Sequence, residues 1–238
     1  MIMWSARMQD MAKMPMPGGW AMSMMWTRLP GRVWSESYVT FIAMWTTMMI
    51  AMMMPSLAPA LLRFRRNAGA HGAMRADLLT AQLGVVYFLV WTIVGATIFP
   101  VGALISTLTM PLPAVARGTP VLTGVIVLLA GILQFTAWKA RHLSRWRDGA
   151  CCDATIAVDI GTAARDGARL AVHCSRCCWP FMAILLAMGI MDLRAMALVT
   201  TAVTIERLAP DTARAARVVG AVTVGTGLLL FARTMATG

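Results

Sequence analysis

Long uncharged apolar runs alternate with short basic segments along this chain. One run fills the stretch between Glu36 and Arg63, a second the stretch between Asp77 and Arg117, and a third ends at Lys139. Each can supply the about 20 apolar residues that a helix needs to cross the hydrocarbon core of a bilayer. The pattern places spans near 38–60, 78–100, 119–139, 171–191, 194–209 and 216–235. The fifth is short, about 22 Å at 1.5 Å per residue. A tilted partner, a short span and a re-entrant piece all stay open for it. Pro55 and Pro59 are expected to kink or fray the far end of the first span. Pro100, Pro111 and Pro113 are expected to break the chain, making 101–118 a loop. The polar, basic segment 140–170 reads as the largest loop. The expected fold is therefore all-α, a polytopic transmembrane helix bundle of about six spans over residues 37–238, preceded by a Met-rich segment, 1–36.

Composition agrees with this pattern. The chain is 59% hydrophobic and 13% charged, against about 25% charged residues in a soluble domain. The formal net charge of +11 would point to nucleic acid in a soluble protein. Here the arginines flank apolar runs, so the lipid bilayer is the partner they imply and nucleic acid is excluded. The basic groups at 63–75, at 139–169 and at Arg207, Arg214 and Arg217 fall on one side when the spans alternate. The positive-inside rule makes that side cytoplasmic and puts the Met-rich N-terminus outside. A multi-pass protein of a bacterial inner (cytoplasmic) membrane follows. Nothing obvious carries the N-terminus across. Either the first span draws a short tail over, or a further apolar helix lies upstream of Met1, and the second is expected.

Candidate chemistry comes from sulfur. The chain has 22 methionines and five cysteines. On a helix, Trp45, Met48, Met49 and Met52 share one face, with Met44, Met48 and Met52 in the stripe beside it and Met49 and Met53 continuing it. A Met stripe is most simply core packing, because Met is apolar and adaptable. Thioethers are also soft ligands that select Cu(I). The outer segment adds Met8, Met11, Met14, Met16, Met22, Met24 and Met25 with no evident core to fill. The second constellation is "HCSRCCW", where one helix turn presents His173 and up to three thiols, Cys174, Cys177 and Cys178, toward nearly one side. Thiolates and imidazole suit Cu(I) first and zinc second. Gln82, Gln134, Asp192 and Glu206 are polar groups in or beside the spans, and such groups default to functional hypotheses. No phosphate loop, HExxH or GxSxG occurs, and the reading leans against an enzyme.

Four elements carry a family resemblance. Trp45, Met48, Met49, Ala51, Met52, Met53 and Pro55 fit a W-x-x-M-M-x-A-M-M-x-P helix with one residue of slack; Gln134 and Lys139 end a span. Cys174, Cys177, Cys178 and Trp179 form C-x-x-C-C-W. Gly189, Met191, Asp192 and Leu193, then Glu206 and Arg207, follow a G-x-M-N-L and Glu-Lys pattern. Here the chain resembles a bacterial family of predicted metal-binding integral membrane proteins, a domain of unknown function. Asp192 replaces Asn, and Cys151 and Cys152 are adjacent where the family has spaced cysteines.

The reading that follows is a soft-metal protein, Cu(I) foremost, for transport or for delivery to a membrane or periplasmic metalloprotein. Its metal candidates are Met44, Met48, Met49, Met52, Met53, His173, Cys174, Cys177 and Cys178. A structural or accessory subunit without metal and a cysteine-based membrane redox protein are the alternatives. The orientation is directly testable. A reporter fused after Arg66 or Arg147 should behave as cytoplasmic, and one fused near Ala116 as periplasmic. The reverse pattern would put the Met-rich segment in the cytoplasm.

Overall fold

The computed structural model describes residues 13–15, 21–23, 34–69, 72–109, 113–147, 159–189 and 192–237. Its helices are α1 (Trp34–Ala68), α2 (Ala73–Thr109), α3 (Pro113–Leu133), α4 (Ala137–Arg147), α5 (Ile160–Met188), α6 (Leu193–Leu208) and α7 (Thr212–Thr237). Two short strands, β1 (Lys13–Pro15) and β2 (Ala21–Ser23), pair antiparallel with Met14 opposite Met22. The fold is all-α in its core, as the apolar periodicity requires.

Four helices, those of α1, α2, α5 and α7, are long and apolar enough to cross a membrane. Within α3 and α4, Val121–Leu133 and Ala137–Ser144 pass together as a fifth, bent by 62°. The bend falls at 134–136, where the Thr136 hydroxyl accepts the Lys139 amide at 3.4 Å and caps the new helix. The expected count of about six is thus approximate, and α6, at 16 residues, is about 24 Å long.

Prolines proved weaker breaks than expected. Pro55 and Pro59 lie inside α1, which runs on to Ala68, and Pro100 lies inside α2. Residues 101–109 are helical, and Pro113 opens α3, so the expected loop 101–118 is largely helix. An internal proline deletes one backbone hydrogen bond. A long, well-packed helix tolerates that, and proline at a first helical position loses nothing. Segment 140–170 is likewise helical at both ends, through α4 and the start of α5.

Helix α5 is central, packed on α2, α3, α4 and α6, while α1 lies against α2 and α6, and α7 against α3. Glycines set the closest approaches. A Cβ on Gly131 would lie 2.8 Å from the Val224 amide nitrogen, and one on Gly227 2.9 Å from that of Leu128. Small residues let α3 and α7 touch backbone to backbone, the packing mode that apolar helices use where no hydrophobic force separates them from their surroundings.

Along α2 the buried residues recur every four positions, at Leu79, Leu83, Tyr87, Trp91, Phe99 and Ala103. The outward side is also apolar, with Leu78, Val85, Leu89 and Ile93 exposed. A helix apolar on all sides fits a lipid environment. The register between α1 and α2 is set by Trp45, which is buried and donates its indole N–H to the Trp91 carbonyl at 2.9 Å. Its ring fills the space beside Gly95, where a Cβ would meet Cδ1 at 2.3 Å. Gly95→Ala is therefore expected to lower stability by about 1–3 kcal/mol through overpacking. A thermal melt in detergent measures it, and an unchanged midpoint would show that the Trp45 ring moves aside freely.

Candidate metal centre

The centre forms where α1, α2, α5 and α6 meet. Cys174 is the middle residue of α5, and Met53, Tyr87, Cys174 and Cys178 are all almost fully buried. The Cys174 Sγ lies 3.9 Å from the Met53 Sδ and 4.0 Å from the Cys178 Sγ. The Tyr87 hydroxyl donates to the Cys174 Sγ at 2.9 Å. Arg207 enters from α6. One terminal guanidinium nitrogen donates to both thiols, at 2.9 Å to Cys174 and 3.0 Å to Cys178, and the other donates to the Ser56 hydroxyl at 3.1 Å. A fixed cation thus stands between two cysteines within the apolar core.

Helical geometry explains the set. Cys174 and Cys178 are one turn apart on α5, so their sulfurs share a face. Met49, Met53 and Ser56 follow the same rule on α1. On α6, Ala195, Val199, Val203, Glu206 and Arg207 are buried, a stripe recurring at four, four, and three to four residues. That stripe carries the last two inward although they are charged.

A second polar cluster lies one residue back along α6. Lys139 and Glu206, both buried, form an ion pair at 2.9 Å. The Lys139 ammonium also donates to the Cys177 carbonyl at 2.8 Å and sits 4.9 Å from the centre of the Phe181 ring. Gln134 is buried, with no partner for its amide atoms among the described residues. Of the other polar candidates, Asp192 caps α6, accepting from the Arg194 and Ala195 amides, a role Asn fills equally well. Gln82 donates to the Ile160 carbonyl at 3.4 Å.

The candidate ligands separate into groups. Met53, Cys174 and Cys178 come together. Met48, Met49 and Met52 are buried in the same core, and Met44 packs at its edge. Cys177 is buried elsewhere, with Leu143 and Ala216. His173 stacks on His142 at 5.2 Å between ring centres, and a ring nitrogen lies 3.1 Å from the His142 carbonyl oxygen. The near-one-sided cluster expected from "HCSRCCW" is thus split: a helix turns 100° per residue, enough to point the middle cysteine away. No three His, Cys, Asp or Glu side chains among the described residues form a metal-sized group. Cys151, Cys152 and, of the outer methionines, Met8, Met11, Met16, Met24 and Met25 lie outside the described residues.

The donor set fits a soft ion. Three sulfurs bound to one metal at about 2.3 Å lie about 4.0 Å apart in a trigonal plane. Two of the three separations here are 3.9 and 4.0 Å. Arg207 stands in the Glu-Lys pattern and among the flanking basic residues, but neither places it beside the cysteines, and Tyr87 belongs to no motif; the buried stripes on α6 and α2 are the signals that bring both inward.

The sequence model of a family described as Copper chaperone (PpoB2) matches residues 42–230. No curated protein and no solved structure matches the chain. The matched region contains every residue of the centre.

The Lys139–Glu206 pair offers a test of its own. Lys139→Met or Glu206→Met alone strands a buried charge and is expected to cost about 3–5 kcal/mol. Lys139→Met combined with Glu206→Met removes both charges and should be clearly milder than either single change. Additive losses in thermal melts would mean that the pair is not coupled.

Proposed function

The chain belongs to the copper chaperone family, and on that premise we propose that it is an integral protein of the bacterial cytoplasmic membrane that carries Cu(I) as cargo. Cys174, Cys178 and Met53 hold the ion, and a membrane or periplasmic copper-using protein receives it. One observation supports this above the rest: the buried Cys174 thiol stands 3.9 Å from the Met53 thioether and 4.0 Å from the Cys178 thiol.

The chemistry follows from softness and charge. Thiolates and thioethers prefer Cu(I) to hard cations. The surrounding apolar core keeps water from the site. Thiolates hold the ion firmly, while neutral thioethers hold it weakly enough to release it. Met44, Met48, Met49 and Met52 lie along α1 on the way to Met53, and on this reading they pass the ion inward. The Met-rich outer segment would collect it.

The experiment is anaerobic Cu(I) titration of the detergent-purified chain, with copper per chain as the readout. Cys174→Ser and Cys178→Ser are expected to abolish high-affinity binding, and Met53→Leu to weaken it by about tenfold or more. Cys177→Ser should bind as the native chain does. The triple change of Met48, Met49 and Met52 to Leu should keep the fold, since Leu–Met exchange costs below about 1.5 kcal/mol, yet load copper more slowly. Undiminished copper in both cysteine variants would remove the metal from this site and favour an accessory subunit. Thiol turnover by a Cys174–Cys178 disulfide, without copper, would favour a redox protein.

A further inference from the structure

We infer that Arg207 is a specificity-determining residue, whose fixed charge makes the site accept a monovalent ion and reject a divalent one. This rests on the copper-site reading above. A guanidinium stays protonated under all physiological conditions. Arg207 is buried, and one of its nitrogens touches both thiols.

The charges then decide the matter. Two thiolates, a neutral thioether and one guanidinium sum to −1. A monovalent ion brings the site to zero. A divalent ion leaves it at +1. The other buried charges among the described residues are Lys139 and Glu206, which neutralise each other at 2.9 Å. Uncompensated charge is costly away from water. Softness of the sulfurs alone does not make this distinction, because thiolates also bind zinc well. In the structure the Arg207 nitrogen itself occupies a cation's position between the sulfurs. Its second anchor, the Ser56 hydroxyl at 3.1 Å, offers a place for the group to remain nearby once an ion enters.

The test compares monovalent with divalent thiophilic ions. The full chain in detergent is titrated with Cu(I) and Ag(I), and with Zn(II) and Cd(II), against competing chelators. Arg207→Gln should shift the preference toward the divalent ions by at least about tenfold, because two thiolates alone are neutralised by a divalent ion. Arg207→Lys should keep the native preference. Charge compensation gives a second arm that a purely structural role would not produce. Cys178→Met removes one negative charge but keeps a sulfur, so it should weaken Cu(I) binding. Adding Arg207→Gln to Cys178→Met restores neutrality and should recover part of that loss. An unchanged preference in Arg207→Gln, with Cys174→Ser still abolishing binding, would overturn the inference and leave the copper site standing. Copper binding indifferent to Cys174→Ser and Cys178→Ser would overturn both. Should Arg207→Gln fail to fold, the native chain and Arg207→Lys suffice: Cd(II) held as firmly as Ag(I) by both would sink the charge role.

Discussion

A guanidinium cannot shed its proton, so it can be buried only where strong acceptors surround it. Arg207 meets that constraint by drawing on two other helices at once: Ser56 from α1, and Cys174 and Cys178 from α5. The short helix α6 is thereby held against the longer ones. Without those acceptors, its inner end would bring a bare cation into an apolar core. The same contacts hold the two cysteines together, with the Cys174 sulfur also meeting Met53 and Tyr87. Position of the helix and geometry of the sulfur site are one problem with one solution.

The neighbouring residue repeats the logic with opposite sign. Glu206 is buried and meets Lys139, which in turn caps the Cys177 carbonyl. That pairing ties α4 and α5 to α6, across the bend at 134–136. Two adjacent residues of one helix thus address two separate clusters, each able to reach neutrality from its own members. Keeping them separate matters, because a net charge in one would otherwise be shared with the other.

Much of the architecture was legible in the sequence, because apolar runs of span length have few alternatives. The Met face of α1 was legible too: Trp45, Met48, Met49, Met52 and Met53 are all buried as their spacing implies. What escaped had physical causes. Proline was given more weight than a long packed helix gives it, so α1 and α2 came out too short and α3 began too late. Adjacent cysteines looked equivalent, yet Cys177 and Cys178 point to different neighbours because consecutive helical residues diverge. Arg207 looked like one more flanking charge, since a basic residue near the end of an apolar run is usually interfacial. Its place in the stripe that begins at Ala195 and its match to the Glu-Lys pattern distinguish it. The partners it meets lie 29 to 151 residues away, a distance at which no local pattern speaks.

The order of those partners along the chain has a consequence for biogenesis. Met53, Tyr87, the cysteine pair and Arg207 emerge from the ribosome in that sequence, with the cation last. A nascent chain that has reached α5 already exposes both thiols to each other but has no guanidinium between them. The finished site therefore cannot exist until α6 is made and seated. Assembly of the bundle itself times when the sulfurs acquire their final electrostatic setting.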